Sequence, residues 1–372
     1  MIERIAVAGY RSIRSLVLSL GQLNVVTGAN GSGKSNLYRA LNLLADVAEG
    51  GLFRSLANEG GFGSVRWAGP KRKSKEPVSL RLGFAAEPFS YCLDLGLPIP
   101  RQTMFGGDPE IKRECLWRGS QIEARSLCAD RRNGVLRCRA ERGKWTQIDL
   151  PLETGASMLS EFADPITAPE LIITRDTIRQ WRFYDTFRTD AKSPARQHSI
   201  GTYTPVMASD GRDFAAAIQT IIEAGNSIPI SRVIDNAFPG SRVRMVSTDV
   251  GMQLLLEQPG IQRELTAAEL SDGTLRYLLL VAALLTPRPP ELMVLNEPEN
   301  SLHPDLIPAL AELIKLAAEK SQIIVVSHNT ALVEELESDD ICMPVRLEKI
   351  GGETVLQDAD LLSQYGWTWP SR

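Results

Sequence analysis

Apolar and polar positions recur along the chain with periods that predict its elements. "IERIAVAGY" and "SLVLSL" read as strands, and "LNVVTG" is a short apolar run that stops at Gly28. From Lys34 onward, Leu37, Leu41, Leu44 and Val47 recur at helical spacing, which predicts a helix ended by Gly50 and Gly51. Residues 58–77, "NEGGFGSVRWAGPKRKSKEP", read as a loop with four glycines before a basic run. Between 78 and 150, short strands such as "SLRLGF", "SYCLDL" and "VLRCRA" are separated by polar breaks, which predicts antiparallel sheet. Residues 151–240 are less regular, with prolines at 165, 169, 194, 205, 229 and 239, and "RDFAAAIQTIIEAG" is their clearest helix. The remainder alternates: strand near 253–257, helix from about 272, strand 292–296, helix from 304, strand 322–326, helix from 329. Pro304 suits a first helical turn, and the alternation predicts a parallel α/β core. No repeat or sustained heptad is present, so no long coiled-coil arm is expected.

Composition narrows the class. The 372 residues, 43% hydrophobic and 23% charged, suffice for one large or two ordinary globular domains. A net charge of −4 does not mark a nucleic-acid binder, although local patches decide that question. Five cysteines form no C-x-x-C pair, and with three histidines no zinc spacing arises, so free thiols in a reducing compartment are expected. Charges inside the first four residues exclude a secretory signal. The apolar stretch "YLLLVAALL", Tyr277 to Leu285, is too short to span a bilayer. A cytoplasmic protein without membrane partners is expected.

Four motifs carry chemistry. "GANGSGKS", Gly28 to Ser35, matches the phosphate loop G-x-x-x-x-G-K-[ST], with the required strand before it and helix after it. Glycines let successive N–H groups face phosphate oxygens, and the helix start adds positive potential. Lys34 would reach the β- and γ-phosphates and Ser35 would ligate Mg²⁺. A glycine-rich turn is the bland alternative, and the filled positions and context speak against it. "LMVLNEPE" is a buried strand ending on Asn296 and Glu297; Asn296 stands where such a strand presents an acid to Mg²⁺ through water, and Glu297 is placed to accept the proton of an attacking water. Alone, this strand reads equally well as core with a polar end. "LSDGTLR", Leu270 to Arg276, reads alone as a helix N-cap with Asp272 helping the dipole. "IIVVSHN" ends a further strand on His328.

The order of these four motifs resembles that of the ATP-binding-cassette (ABC) ATPases. The resemblance implies an α/β P-loop NTPase fold: an ABC-ATPase head with a parallel core sheet, an antiparallel β lobe and a partly helical insertion. Residues 1–150 and 241–372 would form the head, and 151–240 an insertion or lid. "LSDGTLRYLLLVAALL" and "NEPENSLHPDL" are similar to the branch of RecF, the SMC-like and AAA_21-like ATPases, and the ATPase half of overcoming-lysogenisation-defect proteins. In that branch the strand like "AGYRSIRS" carries an arginine beside the phosphates, here Arg11. "ASDGRDFAAAIQTI", 208–221, also resembles a pattern between the two halves of such heads.

The resemblance implies ATP and Mg²⁺ as cofactors and hydrolysis of ATP to ADP and phosphate. ATP would be bound by Arg11, Gly28, Ala29, Asn30, Gly31, Ser32, Gly33, Lys34, Ser35 and Asn36. Glu297, His328 and Lys34 would be catalytic, with His328 touching the γ-phosphate and Ser35 and Asn296 (through water) at the metal. Ser271, Asp272, Gly273 and Thr274 of one protomer would close over the nucleotide of its partner in an ATP-dependent homodimer.

Three departures bear on function. Asn296 lacks the charge of the usual aspartate, which predicts slow turnover. No glutamine of the loop that such ATPases place near the metal is identifiable, and 58–69 is the expected place of an equivalent. No carboxylate-rich segment of a Toprim nuclease follows the head, so no nuclease activity is expected. Basic residues in 112–144, at 71–73 and in 175–188 are read either as solvated faces with internal ion pairs or as a DNA-backbone surface. Three functions stay open: an ATPase acting on DNA in repair or defence against foreign DNA, a slow ATP-gated switch holding a separately encoded protein partner, and a transporter's nucleotide-binding subunit. "SDGT" and "NEPENSLHP" speak against the third.

Overall fold

The computed structural model describes residues 1–70, 78–100, 102–139, 143–185, 187–225, 230–357 and 367–372. The basic run 71–73 lies outside the described residues. The chain forms two compact units, Met1–Gly21 with Val26–Trp181 and Pro344–Arg372, and Gln22–Val25 with Arg182–Met343. Of the expected 151–240 insertion, residues up to 181 thus pack with the first unit and the rest with the second.

The first unit opens with β1 (Ile2–Tyr10) and β2 (Ile13–Ser19), a hairpin whose turn holds Arg11 in the left-handed region (φ 44°). β3 (Leu23–Gly28) leads through the glycine loop into α1 (Lys34–Ala48), which buries Leu37, Leu41, Leu44 and Val47 as its spacing predicts. α2 (Leu52–Asn58) and α3 (Phe62–Val65) follow, so residues 62–65 are helical where a loop was expected. Gly60 and Gly61 turn the chain at positive φ, and the single turn after them buries Phe62 and Val65. β4 (Leu80–Ala86), β5 (Phe89–Gly96), β6 (Glu110–Arg118), β7 (Leu127–Arg132), β8 (Val135–Arg139) and β9 (Trp145–Ile148) complete an antiparallel sheet of order β2-β1-β4-β5-β6-β7-β8-β9. This is the expected antiparallel lobe. α4 (Met158–Glu161) and α5 (Pro169–Arg179) complete this unit's share of the middle of the chain.

The second unit starts from β10 (Arg182–Tyr184), α6 (Phe214–Glu223) and α7 (Ile230–Ala237). β11 (Arg242–Thr248), β12 (Gly251–Glu257) and β13 (Leu265–Thr266) form a small antiparallel sheet. Then α8 (Asp272–Leu284), β14 (Leu292–Asn296), α9 (Ile307–Ala318), β15 (Gln322–Val326) and α10 (Thr330–Glu337) alternate as predicted. β14 pairs in parallel with β10 on one side and β15 on the other. α8 is buried at every position from Leu275 to Leu284, which is why its sequence there is apolar all round apart from Arg276. No described helix is long and apolar enough to cross a membrane.

β16 (Cys342–Ile350) and β17 (Glu353–Leu356) return the chain to the first unit as an antiparallel pair that the alternating pattern did not reveal. All five cysteines are free.

Candidate nucleotide site

The phosphate loop is shaped by where glycine is required. Gly33 has φ 110°, and a Cβ there would lie 2.1 Å from Thr354 Oγ1; at Gly28 (φ 152°) it would lie 2.2 Å from the Leu347 carbonyl oxygen. Any side chain at either position would push the loop off the strands beneath it. Lys34 is 7% exposed and its ammonium donates to the carbonyls of Gly28 (2.6 Å) and Ala29 (3.3 Å), so it is folded into its own loop. α1 carries no acid in its first turn, which leaves its positive end available to an anion. Asn30, Gly31 and Ser35 are exposed, and Asn36 Nδ2 donates to Ser12 Oγ (2.8 Å). The loop therefore fits a polyphosphate.

Arg11 does not stand free. Its guanidinium pairs with Glu59 Oε2 at 2.6 Å, and the Tyr10 hydroxyl donates to the same oxygen at 2.6 Å. Burial, then the neighbouring Glu59, pushes the Tyr10 hydroxyl far above its ordinary value, so it remains a donor. Glu59 lies in the 58–69 segment where an equivalent of the missing glutamine was expected; what it meets there is Arg11 and Tyr10.

The second unit carries the acid strand. Four buried apolar residues of β14 end in Asn296 and Glu297, both partly exposed. Glu297 is left-handed (φ 46°), a conformation that costs a residue with a side chain ~1–3 kcal/mol. The surroundings hold it there: Glu297 N donates to the Val326 carbonyl (2.8 Å), and its own carbonyl accepts from Asn300 N (3.0 Å). The side chain brings Oε1 to 3.3 Å from His328 Nδ1, and His328 is 54% exposed. A carboxylate able to accept a proton and an imidazole able to donate one thus meet at the adjacent ends of β14 and β15. Glu299 is buried behind them, accepting from Ser327 Oγ at 2.6 Å.

Two residues near this strand were not singled out from sequence. Arg276 of α8 is buried and donates to the Glu297 carbonyl at 3.3 Å. Burial lowers its pKa while the charges of Glu299, Asp185 and Glu297 work the other way. Asp185, just past β10, accepts from Asn296 Nδ2 at 2.8 Å. Both partners were visible as residue types; the pairing of β10 with β14 brings Asp185 to the acid strand, and the packing of α8 brings Arg276.

Ser271 is the N-cap of α8, its hydroxyl accepting from Thr274 N at 3.2 Å. Arg196 binds Asp272 at 2.7 Å and the carbonyls of Ala267, Ala268 and Leu270, which fixes the turn before the helix. A Cβ at Gly273 would come within 3.0 Å of the Ser301 carbonyl oxygen. Ser271 and Asp272 are exposed.

The basic stretch 112–139 is matched internally. Arg131 and Glu114 form a fully buried pair at 2.9 Å, Arg113 and Arg132 both bind Asp130, and Arg118 binds Glu170. Arg139 donates to backbone carbonyls and, with Arg137, stacks on Trp145.

The fold is that of solved Smc heads. An Smc head bound to the C-winged helix domain of ScpA is 17% identical, with a TM-score of 0.52 over 95% of this chain and 97% of that one. An Smc head with an extended coiled coil, bound to the C-terminal domain of ScpA and derived from Pyrococcus furiosus, is 14% identical, with a TM-score of 0.50 over 98% and 97%. No curated protein matches the sequence. A family model, AAA_21, described as "AAA domain, putative AbiEii toxin, Type IV TA system", matches residues 23–334; the chain belongs to this family and is an ATP-binding ATPase of the ABC type with an SMC-head fold.

Proposed function

We propose that the chain hydrolyses ATP slowly and works as an ATP-gated homodimer, two nucleotides being enclosed between the phosphate loop of one protomer and Ser271–Thr274 of its partner. The observation that carries this reading is the Glu297–His328 pair at 3.3 Å: the carboxylate we assign as general base and the imidazole we assign to the γ-phosphate lie together although the position before Glu297 is an amide. Mg²⁺ bound with the nucleotide would neutralise developing phosphate charge, and Ser35 and, through water, Asn296 are the residues that would hold it. Glu297 takes the proton of the attacking water. Lys34 leaves the carbonyls of Gly28 and Ala29 for the β- and γ-phosphates. Exposed Ser271 and Asp272 on a turn fixed by Arg196 supply a preformed face for the partner's nucleotide.

Of the two loads such a dimer could carry, a protein partner is favoured over DNA. Of the arginines of 112–139 that would have formed a phosphate-binding face, Arg113 and Arg131 are buried on acids, and Arg118, Arg132 and Arg137 at the surface are already paired with Glu170 and Asp130. ATP turnover with and without duplex DNA, measured alongside mass in solution, tests the reading. Glu297→Gln is expected to lower turnover by about 10²–10⁴-fold and to hold an ATP-bound dimer. Turnover untouched by Glu297→Gln sinks the assignment of the base, and strong stimulation by DNA moves the load from protein to DNA.

A further inference from the structure

β10 and β14 run in parallel with Tyr184 beside Leu295, so the next residues of the two strands, Asp185 and Asn296, stand side by side. Asn296 donates its amide N–H to Asp185 Oδ1 at 2.8 Å. A carboxylate offers only acceptors, so this contact fixes which end of the amide is which. The other end, Asn296 Oδ1, is then buried with no hydrogen-bond partner. A buried carbonyl oxygen left without a donor is costly unless something outside the chain meets it, and a hydrated cation does so.

We propose that Asp185 supplies the carboxylate charge that Asn296 lacks, so that the metal-facing acid of this ATPase sits at the end of β10 and the metal-facing amide at the end of β14. This rests on the ATPase reading above. The two functions of one aspartate are divided: Asn296 offers a neutral oxygen to the metal's water, and exposed Asp185 offers the charge. The surroundings agree in sign, because Asp185, Glu297 and Glu299 act together on a single buried guanidinium, Arg276. Among the described residues no three His, Cys, Asp or Glu side chains are grouped to hold a metal unaided, so phosphate oxygens and water would complete the shell.

The test is Mn²⁺ affinity, read by electron paramagnetic resonance in the presence of a non-hydrolysable ATP analogue, for wild type, Asp185→Asn, Asn296→Asp and the exchange Asp185→Asn/Asn296→Asp. Asp185→Asn is nearly isosteric at an exposed position, and circular dichroism checks its fold. Expected are a loss of about tenfold in Mn²⁺ affinity for Asp185→Asn and its recovery in the exchange variant, which returns the charge to the neighbouring strand. Unchanged Mn²⁺ affinity in Asp185→Asn, or no recovery in the exchange, overturns the proposal and leaves Asp185 as a residue that only orients the amide. Binding of the analogue without metal, followed by a fluorescent nucleotide in EDTA, separates the two levels. If wild type binds no nucleotide there, the ATPase reading fails and this one with it.

Discussion

The Thr354 hydroxyl donates to the Ser32 carbonyl at 2.7 Å, tying β17 to the middle of the phosphate loop. Because Thr354 spends its proton there, the 2.7 Å contact with Ser12 must run from the Ser12 hydroxyl to Thr354, and Ser12 in turn accepts from Asn36. Four polar groups thus form one directed relay from α1 to the loop. Thr354→Val keeps the shape but takes the donor from the Ser32 carbonyl and the acceptor from the Ser12 hydroxyl, a cost of about 1–3 kcal/mol. Nucleotide affinity is expected to fall roughly tenfold by calorimetry, with Thr354→Ser close to wild type. Equal affinity in Thr354→Val would show that the relay does not set the loop.

Gly33→Ala should be harsher, since it combines positive φ with a Cβ 2.1 Å from Thr354 Oγ1. Loss of measurable nucleotide binding is expected, and Gly33→Ala/Thr354→Ala, which opens the space but not the backbone conformation, should recover only part of it.

Glu59 competes with any phosphate for Arg11. If Arg11 serves the nucleotide, neutralising its present partner by Glu59→Gln should strengthen ATP binding by a factor of about 2–5, the range of a partly exposed ion pair. Arg11→Ala should weaken it. Fluorescent-nucleotide titration separates these outcomes, and an Arg11→Ala variant that binds ATP normally removes Arg11 from the site.

Much of this could be read locally. The loop from Gly28 to Ser35, the helix from Lys34, and the α8–β14–β15 succession depend on spacing within a dozen residues, and they fold as that spacing dictates. What could not be read depends on partners far along the chain. Thr354 lies 322 residues from Ser32, and Asp185 lies 111 from Asn296. β10 has three residues, too few for a period to show, yet it is the strand that brings Asp185 to Asn296. The one-turn helix at 62–65 was hidden by its glycines, which turn the chain into the helix rather than forbidding it.

The buried Arg131–Glu114 pair should dominate the stability of the antiparallel lobe. Glu114 also accepts from Tyr91, Ser157 and the Met158 N–H, while Arg131 donates to the carbonyls of Asn133, Glu153 and Ala156. Arg131→Met leaves an uncompensated buried carboxylate, and a loss of about 3–5 kcal/mol is expected in urea unfolding followed by tryptophan fluorescence. Removing both charges should cost less than the sum of the single losses, because the second removal takes away the charge that the first stranded. An additive result would mean that the pair is not coupled.

The thiols provide a pH-dependent check on burial. Burial pushes Cys138 up to about 12 and Cys342 to about 11, and it raises Cys92 and Cys128 as well. Each of these thiols is held neutral by the fold, against about 8.5 for a free one. A group whose folded value is raised contributes stability that is complete below its unfolded value and is lost as pH rises toward the folded one. The urea midpoint is therefore expected to hold steady up to about pH 8 and to decline between roughly 9 and 11, beyond what tyrosine and lysine titration alone produces. A disulfide-exchange reagent at pH 8 should find no rapidly reacting thiol in the native protein and all five in urea, with half-buried Cys342 the first to react as pH rises. Fast native labelling of Cys138 would show that the β7–β8 face opens far more readily than its packing implies.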